Sequence, residues 1–212
     1  MHVSFPGPAG RLEGLLEAPA DLPRGPRAVA VLAPPHPLHG GSMKNSILHR
    51  AARALRAAGL VTLRIDFRGV GRSEGTHDGN GAEEEDVAAA LDELAWRHPG
   101  RPAWGVGYSF GAWTVANLAA RSPRFARLVL IAFPLEVYDA SVLAALSVPT
   151  LLVLGAEDPF GTARALARRV PALPPHVRVE EVPGADHLFR GVTPGVEEAV
   201  RVFAAEANEV AP

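Results

Sequence analysis

Short apolar runs alternate with longer stretches of helical periodicity along almost the whole chain. In residues 28–33 every side chain is apolar, which is typical of a strand buried on both faces. Comparable strand patterns occupy residues 12–18, 60–67, 102–108, 128–133, 150–155 and 177–182, and helical patterns occupy residues 45–58, 82–97, 110–121, 163–170 and a closing segment that begins at Thr193. This alternation predicts an α/β protein with a mostly parallel, twisted sheet of about seven or eight strands and helices on both faces.

Length and composition limit the function classes that fit the chain. Its 212 residues fit one domain, residues 1–212, and its net charge of −2 offers no basic surface for nucleic acid. The chain has no cysteine, which excludes disulfides, thiolate metal sites and a cysteine nucleophile. No apolar run is long enough to span a membrane, and the first residues lack the basic and apolar regions of a signal peptide. We therefore expect a cytoplasmic monomer or homodimer that binds neither nucleic acid nor membrane.

Residues 107–111 match the pattern G-x-S-x-G, with Ser109 at its centre. The pattern is short, but a predicted strand leads into it and a predicted helix leads out of it, which is the context that it requires. A sharp strand-to-helix turn lifts the serine hydroxyl above the sheet, and glycines on either side relieve the crowding. The alternative is an ordinary glycine-rich loop between a strand and a helix. We predict that Ser109 is a nucleophile.

A serine hydroxyl needs a general base, and that base needs an orienting acid. Where the nucleophile stands on a turn of this kind, the acid and then the histidine follow it along the chain. Of the two later histidines, His187 follows the last predicted strand, whereas His176 precedes it, so His187 is the predicted base. Asp158 follows the next-to-last strand and is the predicted acid. Glu157 and Asp186 are its alternatives.

Acyl transfer also needs two N–H donors that bind the oxyanion of the tetrahedral intermediate. The backbone N–H of Phe110, directly after the nucleophile, is the first predicted donor. The second is expected in the loop after residues 28–33, where Pro37 has no N–H and Leu38 is the candidate. The side chain of His36 is then expected to shape this loop through hydrogen bonds.

Two close imidazoles in this loop, His36 and His39, offer a rival interpretation as a metal site. The loop is irregular and no carboxylate lies near them in sequence, so we predict no metal and no other cofactor. His36, His39, Leu135 and Phe160 are instead candidates to line a substrate pocket, and the aromatic residues Phe110, Trp113, Phe133 and Tyr138 fit either pocket walls or the core.

Residues 66–75 form a second glycine-rich stretch. The spacing of its glycines matches neither a P-loop nor a dinucleotide-binding turn, so we expect it to tighten the exit of a strand. Ser73, within it, is a poor rival nucleophile because no strand–turn–helix pattern surrounds it.

Together these motifs resemble those of the α/β-hydrolase superfamily over roughly residues 12–203. The segments P-P-H-P-L-H-G-G-S-M-K-N, F-R-G-V-G-R-S-E-G and G-A-D-H-L-F are similar to those of small, lidless bacterial hydrolases, described as predicted esterases related to dienelactone hydrolases. The resemblance implies an α/β-hydrolase fold. It also places the catalytic serine, acid and histidine on Ser109, Asp158 and His187, and the oxyanion donors on Leu38 and Phe110.

Differences from related families limit the reactions that the chain can be expected to catalyse. Dienelactone hydrolases use a cysteine nucleophile, which this chain lacks, and haloalkane dehalogenases and epoxide hydrolases carry aspartate where Ser109 stands. Lids of this superfamily usually occupy the connection between the predicted strands 128–133 and 150–155. Here that connection is only residues 134–149, which is too short for a lid domain. We therefore expect an open site with minimal or no lid, and at most a short helix near residues 137–146.

The sequence thus predicts a serine esterase that hydrolyses small carboxylic esters through an acyl-enzyme. The same residues are compatible with a thioesterase, an amidase or peptidase, or an acyltransferase, because the pocket that selects the substrate is not readable from the sequence. A non-catalytic binding scaffold with the same fold is the alternative from another class.

Overall fold

A computed structural model of the protein describes residues 1–21, 25–77 and 81–207, and within them one sheet of eight strands is covered by five α-helices. The strands are β1 (His2–Gly7), β2 (Gly10–Glu17), β3 (Ala28–Ala33), β4 (Leu60–Asp66), β5 (Ala103–Tyr108), β6 (Arg127–Ile131), β7 (Thr150–Gly155) and β8 (Val177–Val182). The helices are α1 (Ser46–Ala57), α2 (Glu83–Arg97), α3 (Phe110–Arg121), α4 (Ala163–Arg169) and α5 (Thr193–Glu206). The predicted fold class is confirmed.

The strand order is β1-β2-β4-β3-β5-β6-β7-β8. Strand β2 runs antiparallel to β1 and to β4. The six strands β3 to β8 all run parallel to one another. The chain moves outward from β3 to β4 and then returns to β5 on the other side of β3, so the order reverses between β3 and β5. In open α/β sheets the loops that follow such strands diverge and leave a crevice for ligands. The loop after β3 and the turn after β5 therefore lie where a site is expected.

Strand β1 was not predicted from the sequence. Its side chains alternate in burial, with Val3 and Phe5 buried and His2, Ser4 and Pro6 exposed, which is the period-two pattern of a strand with one wet face. It pairs with β2 as a hairpin at the edge of the sheet. Strand β6 ends at Ile131, earlier than predicted, because Ala132 has a φ of 47° that breaks the extended backbone.

Successive side chains of the central strand β3 point to opposite apolar layers. Val29 and Val31 belong to the layer that packs against α2 and α3, whereas Ala30 and Leu32 belong to the layer that packs against α1 and α5. All six β3 residues are buried, which explains why the strand reads as an unbroken apolar run. Burial on both faces gives the central strands a fixed position from which their loops extend.

The glycine-rich turn after β4 is held by a buried ion pair. Asp86 of α2 is fully buried and accepts hydrogen bonds from the backbone N–H of Arg68 at 2.9 Å and from its Nη2 at 2.8 Å. Ser73 is also buried, and its hydroxyl donates to the Asp66 carbonyl at 2.8 Å and accepts from the Glu13 N–H at 2.9 Å. This turn tightens the exit of β4, as predicted, and it joins β4 to β2 and α2.

The connection between β6 and β7 is short, as predicted, and holds a five-residue 3₁₀ helix, Ser141–Ala145. No helix in the described part of the chain combines the length and the apolar character needed to cross a membrane.

We expect Asp86→Asn to lower the free energy of unfolding by about 3 kcal/mol, because it removes the buried counter-charge of the Arg68 guanidinium and leaves only the exposed Glu85 carboxylate, at 3.3 Å. Glu198→Gln is the matched control, since Glu198 forms an exposed pair with Arg201 and its loss should change stability little. Urea unfolding of both variants measures the difference. Equal effects of the two substitutions would show that the Arg68–Asp86 pair does not hold the turn.

Candidate active site

Ser109 lies between the last residue of β5 and the first residue of α3. Its φ of 55° and ψ of −118° place it in a backbone region that non-glycine residues rarely adopt. Two close backbone approaches force this turn. A Cβ on Gly107 would lie 2.2 Å from the Gly111 carbonyl oxygen, and a Cβ on Gly111 would lie 2.3 Å from the Ala33 carbonyl oxygen. The glycines of the motif are therefore required by the packing of β5, α3 and the end of β3.

His187 lies in the loop between β8 and α5 and reaches the nucleophile. Its Nε2 is 2.8 Å from the Ser109 Oγ. The phenol of Tyr108 donates a hydrogen bond to the His187 carbonyl at 2.8 Å, and burial raises the pKa of this phenol well above its usual value. The Phe160 ring packs edge-on against the imidazole, with 4.8 Å between ring centroids. Backbone and ring of His187 are thus both held by neighbouring residues.

Asp158 lies after β7 and contacts the other side of the same imidazole. Its Oδ2 is 2.8 Å from the His187 Nδ1, and its Oδ1 accepts the Phe160 N–H at 2.8 Å. Asp158 is 2% exposed, so both carboxylate oxygens are bound in a site shielded from water. An acceptor at Nδ1 fixes the tautomer in which Nε2 can take a proton from a hydroxyl.

The alternative candidates for the acid and the base make other contacts or are exposed. Asp186 accepts the N–H groups of Leu188 at 3.0 Å and of Arg190 at 3.1 Å, and these bonds lower the pKa of its carboxyl. Glu157 is exposed. His176 directly precedes β8, and its Nε2 lies 2.8 Å from the Leu146 carbonyl oxygen. The structure therefore brings Ser109, His187 and Asp158 into one hydrogen-bonded chain and leaves the other candidates out of it.

The two predicted oxyanion donors differ in how they are engaged. Phe110 is the first residue of α3, so its N–H has no acceptor within the helix. The Leu38 N–H belongs to a short 3₁₀ helix, Pro37–His39, and donates to the His36 Nδ1 at 3.2 Å. The expectation that the His36 side chain shapes this loop through a hydrogen bond is confirmed.

A cavity of about 480 Å³ opens beside Ser109. Of the predicted pocket residues, His36, His39 and Phe160 line it, as do the aromatic candidates Phe110 and Tyr138. Its further lining residues are Pro35, Gly40, Asn45, Tyr108, Pro134, Val137, His187 and Leu188. Val137, Phe160 and Leu188 are half-exposed and form an apolar rim at its mouth.

The prediction that Leu135 lines the pocket is wrong. Its side chain is fully buried in the core and packs against Gly161, where an added Cβ would lie 3.3 Å from the leucine side chain. Phe133 is likewise core, and Trp113, which does not line the cavity, stacks on Tyr138 with 4.7 Å between ring centroids. Sequence reasoning missed Val137 and Leu188, and their only signal was their position in loops at the carboxyl ends of strands.

The imidazole rings of His36 and His39, which suggested a metal site, pack against each other. The His36 ring lies 4.9 Å from that of His39 and 4.8 Å from that of His77, measured between centroids. The His77 Nδ1 contacts the buried Glu83 carboxylate at 2.5 Å. Over residues 1–21, 25–77 and 81–207, no group of three or more histidine, aspartate or glutamate side chains is arranged to hold a metal ion.

Comparison with known proteins identifies the family. A family model described as serine aminopeptidase, S33, matches residues 28–141, which is more than half of the chain. An uncharacterized protein of Rickettsia prowazekii is 35% identical over 211 residues, covering 95% of this chain and 87% of that protein. The chain belongs to the α/β-hydrolase superfamily.

Solved α/β-hydrolase structures agree with this assignment. A serine hydrolase homologue from Coxiella burnetii is 32% identical, with a TM-score of 0.87 and 96% of each chain covered. A serine hydrolase without a lid from Xanthomonas campestris is 26% identical, with a TM-score of 0.89 over 100% of this chain and 96% of that chain. The expected superfamily and the α/β-hydrolase fold are therefore confirmed, and the relation to dienelactone hydrolases stays a prediction.

We expect Gly107→Ala to destabilise this α/β-hydrolase by at least about 3 kcal/mol, because the new Cβ collides with the Gly111 backbone. Gly100→Ala is the control. Unlike Gly107, Gly100 has a positive φ, 74°, but nothing lies within 4 Å of a Cβ added there, so only the backbone cost of about 1 kcal/mol applies. Thermal and urea unfolding compare the two. A loss at position 107 no larger than that at position 100 would show that close packing against Gly111 does not require glycine there.

Proposed function

We propose that this α/β serine hydrolase cleaves small carboxylic esters through an acyl-enzyme on Ser109. The observation that carries the proposal is the hydrogen-bonded chain from the Ser109 Oγ through the two His187 nitrogens to Asp158, with 2.8 Å at each contact. Such a chain couples a hydroxyl to a base whose tautomer is fixed, which is the requirement for nucleophilic catalysis by serine.

The proposed reaction runs in two halves. The Ser109 Oγ attacks the acyl carbon while the His187 Nε2 takes its proton and returns it to the leaving alcohol. Asp158 holds the imidazole and stabilises its charged form, and the N–H groups of Phe110 and Leu38 bind the oxyanion. Water, activated by His187, then releases the acid from Ser109. Every proton is moved by groups of this chain, and the reaction involves no cofactor.

The cavity supports a small substrate with an apolar acyl group. Apolar and aromatic side chains form most of its wall, and its mouth is open because the β6–β7 connection is short. An esterase domain from Rhodothermus marinus shares the fold at 21% identity and a TM-score of 0.74, over 99% of this chain and 98% of that chain. The substrate is proposed to be a small molecule, and the cytoplasmic location and the monomeric or homodimeric state stay predictions.

A peptidase or amidase is the second candidate function. The family model that matches residues 28–141 is described as serine aminopeptidase, and the same three residues cleave amides when the leaving group is an amine. Thioester hydrolysis, acyl transfer to an alcohol and a non-catalytic scaffold are further alternatives, and the absence of Ser109-dependent turnover would favour the scaffold.

Hydrolysis of p-nitrophenyl esters from acetate to dodecanoate tests the proposal. We expect turnover of the short esters to exceed that of the long ones, because the short β6–β7 connection leaves the cavity open and a long acyl chain would lie partly in solvent. Ser109→Ala should lower kcat/KM roughly 10⁴-fold or more, and Ser122→Ala, at the other end of α3, should leave it unchanged. Turnover that survives Ser109→Ala would contradict the proposal. Faster cleavage of aminoacyl p-nitroanilides than of any ester would favour the peptidase.

We expect Asp158→Asn to lower kcat about 10²- to 10⁴-fold, because an amide at this position no longer selects the tautomer that accepts the serine proton. Glu157→Gln and Asp186→Asn should keep kcat close to that of the wild type, since neither carboxylate contacts the Nδ1 of His187 in the structure. Steady-state kinetics with p-nitrophenyl acetate measure all three. Loss of activity in Glu157→Gln with full activity in Asp158→Asn would show that the acid is assigned wrongly.

A further inference from the structure

Large apolar side chains are exposed at the mouth of the active-site cavity. In the described part of the chain six such side chains are exposed, and three of them, Val137, Phe160 and Leu188, line this cavity. None of the three belongs to either apolar layer of the core. Exposed apolar groups that gather at one place mark a binding surface, whereas scattered single ones carry no such meaning. These side chains are therefore available to bind the part of a substrate that lies at the mouth.

The backbone of Phe160 is anchored on both sides. Its N–H donates to the Asp158 Oδ1 at 2.8 Å, and its carbonyl accepts the Glu136 N–H at 2.9 Å. The next residue, Gly161, packs so closely that an added Cβ would lie 2.5 Å from the Phe133 carbonyl oxygen. The phenyl ring, 42% exposed, extends from this fixed backbone into the cavity lining. Such a ring binds a substrate group with little further loss of loop entropy.

The ring of Phe160 contacts the proposed base. Its centroid lies 4.8 Å from that of the His187 imidazole, at an interplanar angle of 76°. In the proposed reaction the His187 Nε2 returns its proton to the leaving oxygen, so that oxygen must come within about 2.6–3.2 Å of Nε2. The carbon bonded to the leaving oxygen is then held beside the imidazole. The exposed phenyl ring of Phe160 is in place to contact the organic group that this carbon carries.

The place of the leaving alcohol is also the place from which the acyl-enzyme is attacked, because the second half of the reaction reverses the first. An alcohol there gives its O–H proton to the His187 Nε2, and its oxygen bonds to the acyl carbon. The bond from the acyl carbon to the Ser109 Oγ then breaks, and the proton passes from His187 to that Oγ. The products are a new ester and free Ser109. Water follows the same steps but offers no apolar group to Phe160.

We propose that Phe160 forms an alcohol subsite that selects esters of apolar aromatic alcohols and lets such alcohols compete with water for the acyl-enzyme. This inference rests on the proposed function, because only an acyl-enzyme on Ser109 can be divided between water and an alcohol. An aromatic alcohol gains an edge-to-face or offset contact with the phenyl ring in addition to apolar burial, whereas methanol gains neither. The enzyme thus acquires a second activity, the transfer of an acyl group to an aromatic alcohol.

Competition between two alcohols for the acyl-enzyme tests this subsite. p-Nitrophenyl acetate supplies the acetyl-enzyme, and gas chromatography measures the initial rates at which equal concentrations of methanol and benzyl alcohol yield methyl acetate and benzyl acetate. We expect the wild type to form benzyl acetate about 5- to 20-fold faster than methyl acetate, and Phe160→Ala to reduce this ratio to about 2 or less. The ratio is fixed after acylation, so a looser His187 or a smaller fraction of active enzyme leaves it unchanged.

Two further variants separate the phenyl ring from general apolarity at the rim. Phe160→Leu is apolar but has no ring, so its ratio should lie between those of the wild type and Phe160→Ala. Val137→Ala is the matched control, since Val137 is another exposed apolar residue of the rim but belongs to the β6–β7 connection, and it should keep the wild-type ratio.

Leaving-group selectivity provides a second readout. The value of kcat/KM for benzyl acetate relative to that for methyl acetate should fall in Phe160→Ala by the same factor as the alcohol ratio, because one subsite binds the alcohol in both directions. A residue that only steadied the imidazole would lower kcat/KM for both esters equally.

The outcomes distinguish a failure of the subsite from a failure of the proposed function. A wild-type ratio in Phe160→Ala and Phe160→Leu, or an equal fall in Val137→Ala, would overturn the role of Phe160. A wild type that hydrolyses p-nitrophenyl acetate but forms no benzyl acetate would overturn it as well. These results leave the proposed function intact, since hydrolysis through Ser109 continues. A wild type without Ser109-dependent hydrolysis and without fluorophosphonate labelling of Ser109 would overturn both.

Discussion

The strained backbone of Ser109 is the constraint on which the rest of the site depends. Its positive φ can persist only because the turn is over-determined by its neighbours, since such a conformation costs on the order of 1–3 kcal/mol. The Ser109 N–H donates to the Ile131 carbonyl at 2.8 Å, and Gly107 and Gly111 let β5, α3 and the end of β3 approach each other closely. This one turn therefore fixes the positions of the Ser109 hydroxyl, the first N–H of α3 and the loop after β3 relative to one another.

The acid and the base approach Ser109 from the ends of two other strands. Asp158 follows β7 and His187 follows β8, so both come from loops that begin at the same edge of the sheet as the turn after β5. The bonds that hold them are largely to backbone groups. The Phe160 N–H orients Asp158, and Tyr108 binds the His187 carbonyl. Because Tyr108 directly precedes the nucleophile, the strand that carries Ser109 also holds the loop that carries its base.

The features that could be predicted from the sequence follow from rules of local pattern and topology. The unbroken apolar run of β3, the strand–turn–helix around Ser109 and the position of Asp158 at the end of a strand each have a local signal. The direction in which a loop side chain points has none, because tertiary packing decides it. For this reason Leu135 was assigned to the pocket although it is core, and the roles of Tyr108 and Leu188 were missed. The end of β6 was also misplaced, since a positive φ at an alanine leaves no trace in the sequence.

The short connection between β6 and β7 also has an evolutionary consequence. It leaves the sheet at Ala132 and returns at Pro149, and on the way Pro134, Val137 and Tyr138 pass along the wall of the cavity. Surface connections of this kind tolerate insertions far better than strands or buried turns do. A longer segment here would roof the cavity without moving Ser109, Asp158 or His187. The range of substrates could thus diverge through one surface loop while the chemistry beneath it stays the same.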